Sequence, residues 1–224
     1  MTARGGFGAG TPFGAGDDST IGVAAADLDG DGDLDLVLAN RDGGANMIHW
    51  NDGGSLERVS GYGTGSDETR GVAVGDVDGD GRLDIVAANI GEANAVYFGD
   101  GLGGFGRSLT FGAGDDQSYA VRLADLDLDG DLDIVVANVG ARNAVYFNRV
   151  GEVPGVGEAP GSAVARGFVE FRFGCGDCAT YGLAVGDLNG DGFPEIVTAN
   201  SGAPNGIFAN VAFIAPPNPH PESP

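Results

Sequence analysis

Apolar residues along this chain fall in short runs bounded by glycine, asparagine and aspartate, the pattern of short strands joined by tight turns. The runs recur in one order four times. The first in each unit is made of small residues, Gly22-Val23-Ala24-Ala25-Ala26, Gly71-Val72-Ala73-Val74-Gly75, Ala120-Val121-Arg122-Leu123-Ala124 and Gly182-Leu183-Ala184-Val185-Gly186, which suits a strand crowded by its equivalents around a common axis. The second is apolar throughout, as expected of a buried strand: Leu36-Val37-Leu38-Ala39, Ile85-Val86-Ala87-Ala88, Ile134-Val135-Val136-Ala137 and Ile196-Val197-Thr198-Ala199. Each ends at an asparagine (Asn40, Asn89, Asn138, Asn200), a residue that tolerates left-handed turns. The third is aromatic, Met47-Ile48-His49-Trp50, Ala95-Val96-Tyr97-Phe98, Ala144-Val145-Tyr146-Phe147 and Gly206-Ile207-Phe208, and an outer fourth run leads into a phenylalanine or tyrosine and a glycine-rich turn.

Between the first and second runs the chain is acidic at alternate positions. The four copies begin at Asp27, Asp76, Asp125 and Asp187. Numbered from there, position 3 is Asp29, Asp78, Asp127 or Asn189, and position 5 is Asp31, Asp80, Asp129 or Asp191. Position 7 is Asp33, Arg82, Asp131 or Phe193, and position 9 is Asp35, Asp84, Asp133 or Glu195. Carboxylates packed this closely repel one another, so a folded loop that holds them needs a counter-charge at its centre. Calcium is suited to it, because it takes six to eight oxygens at about 2.3–2.6 Å in irregular geometry, whereas magnesium demands a stricter octahedron. Positions 1, 3 and 5 then supply side-chain oxygens and position 7 its backbone carbonyl, which explains why position 7 varies freely while position 9 is always acidic. Glycine occupies position 6 in every copy (Gly32, Gly81, Gly130, Gly192), where the chain turns around the ion. The closing acid opens an apolar run rather than an exiting helix, which distinguishes these loops from an EF-hand. Up to four calcium ions are expected, one per unit.

The loops recur with a period of about 49 residues, and the last interval is longer by about 13, which falls in the Gly/Pro-rich segment at 150–163. A fixed period of this size marks a repeat architecture, so residues 1–214 are expected to form one repeat domain followed by a Pro-rich tail at 215–224. The net charge of −22, with no lysine, makes nucleic acid and anionic membranes poor partners even after calcium loading. No apolar stretch approaches the roughly 20 residues that span a bilayer, and the start shows no hydrophobic segment of the signal-peptide kind.

Residues and period together resemble the FG-GAP/VCBS repeat family, whose propellers include the heads of integrin α subunits and a group of fungal lectins. The resemblance covers Phe7 to Phe208 and rests on four copies of the acidic signature. It implies an all-β fold, a β-propeller of four-stranded blades with one calcium loop between the first two strands of each blade. Relatives usually have about seven blades and this chain has four. The stretch from Phe7 to Asp18 is a near twin of Phe105 to Asp116, so the chain begins with a fourth strand that belongs to no preceding unit. That strand is expected to complete the last blade and close the ring; the alternatives are part of a larger propeller, or a ring completed by a second chain. The first loop carries the full acidic set, the third replaces a turn glycine with Leu128, and the fourth offers the neutral Asn189 and should empty first.

Other candidates for chemistry are few. Cys175 and Cys178 form a CxxC in a turn, read as a local disulfide ahead of free thiols, with redox catalysis a remote third. His49 stands where other units have Tyr97, Tyr146 and Phe208 and is expected to be an aromatic filler rather than a general base. No nucleophile triad or phosphate-binding signature occurs, and the acids are committed as ligands, so no enzyme activity is expected. Two roles remain: recognition of a glycan or protein in an extracellular or lumenal compartment, with Tyr62, Tyr119 and Tyr181 as candidate contacts, or a structural subunit of a larger complex or homo-oligomer.

Overall fold

The computed structural model describes residues 8–16, 18–150 and 166–210. Fifteen strands and no helix occur among them, arranged as four antiparallel sheets taken in chain order. The first sheet holds β1 (Thr20–Ala26), β2 (Asp35–Asn40), β3 (Asn46–Asp52) and β4 (Ser55–Tyr62). The second holds β5 (Thr69–Gly75), β6 (Asp84–Asn89), β7 (Asn94–Phe98) and β8 (Arg107–Phe111). The third holds β9 (Ser118–Ala124), β10 (Asp133–Asn138), β11 (Asn143–Val150) and β12 (Arg166–Phe173). The fourth has three strands, β13 (Ala179–Gly186), β14 (Glu195–Ser201) and β15 (Gly206–Phe208). The Gly/Pro-rich segment and the tail lie outside the described residues.

Each second strand opens on the closing acid of its loop, so the loop and the strand are one continuous device. The second strands of the two middle sheets, β6 and β10, are apolar throughout because both of their faces are covered. Ile85 and Ala87 point back to Val37, Ala39 and Ile48 of the first sheet, while Val86 and Ala88 point forward to Ile134 and Val136 of the third. Val135 and Ala137 in turn meet Leu183 and Ile196 of the fourth. Three apolar layers between neighbouring sheets therefore replace a single core.

The first strands run beside one another, as their small residues require. At Gly71 an added Cβ would lie 3.1 Å from the Ala120 Cα and the Tyr119 carbonyl, so backbone meets backbone there. Every first strand carries a bulge at the same place, and the displaced residues are Ile21, Arg70, Tyr119 and Tyr181.

The asparagines that end the second strands are not left-handed turn residues. They lie in extended strand, three of the four buried, and act as polar hubs. Asn46 donates through Nδ2 to the Thr69 hydroxyl (2.7 Å), which donates to Asn89 (2.9 Å). The same relay runs from Asn94 through Ser118 to Asn138 and from Asn143 through Thr180 to Asn200. Each relay crosses from one sheet to the next, and the side-chain oxygens of Asn46, Asn94, Asn143 and Asn205 accept the backbone N–H of the strand-ending asparagine. The turn reading failed because a short amide side chain satisfies backbone groups as well in a sheet as in a turn.

At the outer rim an aromatic ring from each fourth strand stands edge-on against the third-strand aromatic of the next sheet. Tyr62 meets Tyr97 at 5.5 Å, Phe111 meets Tyr146 at 4.8 Å and Phe173 meets Phe208 at 4.9 Å. Phe13 meets His49 in the same way at 5.3 Å, and His49 Nδ1 lies 3.1 Å from the Leu56 carbonyl, which agrees with a packing role for this histidine. Tyr62 is buried with its hydroxyl donating to the Leu38 carbonyl, so it is withdrawn as a surface contact; its place at the corner between two sheets decides this. Residues 8–16 form no strand and pair with no part of the fourth sheet. Their Phe13 instead lies against the first sheet, as the outer corner of a preceding unit would.

Candidate metal centre

The four acidic loops sit between the first two strands of their sheets, and the chain coils there through glycines with positive φ, Gly30 and Gly32 in the first copy. The third loop keeps this path without the first glycine: Leu128 is held at φ 61°, a conformation that costs a side-chain-bearing residue roughly 1–2 kcal/mol. The position 1 carboxylate organises the coil. Asp27 accepts the backbone N–H of Gly30 and Gly32 and Asp187 those of Gly190 and Gly192, while Asp76 accepts those of Asp80 and Gly81 and Asp125 those of Asp129 and Gly130. Position 5 takes the N–H of position 7, as Asp80 does from Arg82 and Asp191 from Phe193.

Positions 1, 3 and 9 come together. Asp27, Asp29 and Asp35 present ligand oxygens within 4.8 Å of one another, as do Asp76, Asp78 and Asp84, and Asp125, Asp127 and Asp133. Two oxygens bound to one calcium ion at about 2.3–2.6 Å stand at most about 4.6–5.2 Å apart, so each trio fits around a single ion. One oxygen in each trio has no other occupation: Oδ1 of Asp29, Asp78 and Asp127 is buried without a hydrogen-bond partner. An ionised oxygen in that position is costly unless a cation answers it. The position 5 acids Asp31, Asp80 and Asp129 stand outside these trios. Position 7 side chains turn away: Asp33 accepts the Gly53 N–H, and Arg82 reaches Asp80 and the Gly99 carbonyl. In the fourth loop Asn189 donates to Asp191 and Glu195, so its amide is engaged within the loop.

The closing acids do more than the sequence implied. Asp35, Asp84 and Asp133 are fully buried, and each joins the loop to the backbone at the end of the neighbouring third strand. Asp84 Oδ2 accepts the Val77 N–H (2.8 Å) and Oδ1 the Gly99 N–H (2.9 Å), while Asp133 holds Leu126 and Asn148 in the same manner. Burial outweighs these hydrogen bonds and pushes both carboxyls up to about 6. The native state therefore keeps protons that the unfolded chain releases near pH 3.8, and the ion-free fold loses stability as pH rises from there through about 6. We expect the melting temperature in chelator to be higher at pH 5 than at pH 7.5, and calcium affinity to weaken below about pH 6; a chelated protein that melts lower at pH 5 would contradict this.

Three arginines that the loop pattern does not contain also serve the site. Arg58 lies 4.6 Å over the Trp50 ring and donates to Asp29 Oδ2 at 2.7 Å. Arg107 lies 4.0 Å over Phe98 and pairs with Asp78, and Arg149 lies 5.6 Å over Phe147 and pairs with Asp127 at 2.7 Å. Each thus holds the position 3 carboxylate from the side opposite its free oxygen. The signal was present in the hairpins, where Trp50 pairs with Arg58 and Phe98 with Arg107, but it becomes visible only once the strand register is known.

A family model for the FG-GAP-like repeat matches residues 27–87, 76–136 and 125–198, each match running from the start of one acidic loop into the second strand of the next sheet. This chain belongs to the FG-GAP-like repeat family. No curated protein matches it. In FG-GAP-like terms each matched unit spans the seam between two sheets, so the family pattern contains both the loops and the apolar layer that joins them. Cys175 and Cys178 are disulfide-bonded to each other in the turn before β13, as expected from the sequence.

Proposed function

We propose that this FG-GAP-like chain is a calcium-binding module with β-propeller blades that recognises a glycan or a protein and performs no catalysis. The observation that carries the calcium reading is the buried, unpartnered Oδ1 of Asp29, Asp78 and Asp127 inside each carboxylate trio. The fourth loop, with Asn189 engaged by its own neighbours, is the weakest of up to four sites. The clustered acids are committed to ion binding and to backbone N–H groups, which argues against acid–base chemistry. Millimolar calcium outside the cytosol would fill even weak sites, so an extracellular or lumenal location suits the loops.

For recognition, the support is a pair of aromatic rings displaced by the first-strand bulges. Tyr119 and Tyr181 stand edge-to-face at 4.9 Å, and Tyr181 is half exposed. Such rings provide apolar faces with polar tips, suited to sugar rings or a protein surface. The test is binding of the full chain to a broad glycan panel, with calcium and after chelation, repeated with Tyr181→Ala. Calcium-dependent binding that the substitution weakens about tenfold is expected of a lectin-like role. No binding by folded, calcium-loaded protein would overturn the glycan reading in favour of a protein partner.

A further inference from the structure

The two ends of the row of sheets are complementary halves of the seam that the chain repeats internally. Val23 is 61% exposed although its counterparts Val72, Val121 and Leu183 are buried. At the other end Ile207 is 69% and Leu188 58% exposed, although Ile48, Val96 and Val145, and likewise Leu28, Val77 and Leu126, are buried. These residues are exposed for one reason: among the described residues no sheet stands before the first or after the fourth.

The polar links are interrupted at the same two places. Thr20 donates to Asn40 as Thr69 does to Asn89, yet no asparagine precedes it, and no hydroxyl stands beyond Asn205 among the described residues. Asn148 donates both to the Leu132 carbonyl of its own sheet and to the Val77 carbonyl of the preceding loop, and Asn210 reaches the Leu126 carbonyl in the same way. Asn51, at the equivalent place, donates through Nδ2 to its own Leu34 carbonyl, with no bond to a preceding loop among the described residues. The strand inventory agrees. Among the described residues the fourth sheet alone lacks an outer strand, and residues 8–16 carry an outer-strand corner whose Phe13 is already docked on the first sheet.

We infer that a second copy of this chain supplies the missing seam, head to tail. The free face of its fourth sheet packs on the first sheet of its partner, Asn205 donates to the partner copy's Thr20 hydroxyl, Asn51 donates across the joint to the Leu188 carbonyl, and the amino-terminal segment lies beside β15. The occupant is a second copy rather than the same molecule because no apolar layer or strand pairing joins the first and fourth sheets of one chain among the described residues. The contact is heterologous, so two copies close a ring only if both joints form together. This inference rests on the propeller reading above, and the test separates the two.

The full chain is prepared in 1 mM calcium with Thr20→Cys and Asn205→Cys together, and treated with a short bis-maleimide; the native cysteines are bonded to each other and do not react. A covalent species of about twice 22.4 kDa is expected, and light scattering of the unmodified chain should give the same mass. Ile207→Asp or Val23→Asp alone should each yield a folded monomer, because both side chains are exposed in the isolated row. Mixing those two variants should restore dimer, since one intact joint remains. A cross-link confined to the monomer would overturn the inference and leave the propeller reading standing as a ring closed within one chain. A monomer that cross-links in neither way would overturn both.

Discussion

Chelation of the calcium-loaded protein with excess EDTA should lower its melting temperature by about 15–30 °C. A ligand that binds only the native state stabilises it by about 2.7 kcal/mol when its concentration is 100-fold above the dissociation constant. Loops of this type that bind in the ~10 µM range reach that ratio at about 1 mM calcium. Three sites acting independently then contribute about 8 kcal/mol, and each kcal/mol is worth about 2–4 °C in a domain of this length. The three trios with a free buried oxygen are the ones counted, and the Asn189 loop is left out. Magnesium at the same concentration should restore little of the loss, because it keeps its waters and demands an octahedron. A melting curve that does not move on chelation would remove calcium from the account of this fold.

The apo state predicted by the same reasoning is weakened rather than unfolded. Arg58, Arg107 and Arg149 each neutralise one side of a position 3 carboxylate, and the apolar layers between sheets do not depend on the ion. The loss on chelation should therefore appear as a shifted but still cooperative transition.

What the sequence made legible was everything set by local chemistry. Alternate acids with a glycine at position 6 located all four loops, and the strands that follow begin at the closing acids as expected. Small first strands marked the backbone-to-backbone contact at Gly71. The rest depends on which strand lies beside which. Arg58 is 29 residues from Asp29 in sequence, and the Asn46 to Thr69 bond spans 23, so neither pairing is marked by spacing within one unit. The closing strand illustrates the same limit from the other side. The likeness of the amino terminus to an outer strand was readable, and Phe13 does occupy the outer-corner position against His49, but the sheet that completes this corner is determined by the geometry of the seams. Position 9 was read as a ligand because it is acidic, whereas its complete burial and its grip on two distant backbone N–H groups follow only from the packed sheet.

That second duty makes Asp84→Ala the substitution with the largest expected cost, and it makes the cost depend on pH in a way a pure ligand would not. Removing the carboxyl leaves the Val77 and Gly99 N–H groups buried without acceptors, at about 1–3 kcal/mol each. At pH 5 in chelator, where the buried acid is mostly protonated, the variant should therefore be less stable by about 2–6 kcal/mol. At pH 7.5 in chelator the native protein holds an ionised group whose carboxyl is pushed up to about 6 by burial; the unfolded chain is ionised already at pH 5, so raising the pH from 5 to 7.5 offsets the difference by a further ~1.4 kcal/mol, at 1.36 kcal/mol for the one unit between pH 5 and about 6. The penalty measured by urea unfolding should thus shrink as pH rises without calcium, and grow again at pH 7.5 when calcium is restored, because the variant also loses an acid of that trio. Asp84→Asn keeps one acceptor and no charge, so in chelator at pH 5 it should fall between the two. If instead Asp84→Ala matches the parent protein at both pH values in chelator and differs only in calcium, the closing acid is a ligand alone and the sheet does not depend on its hydrogen bonds.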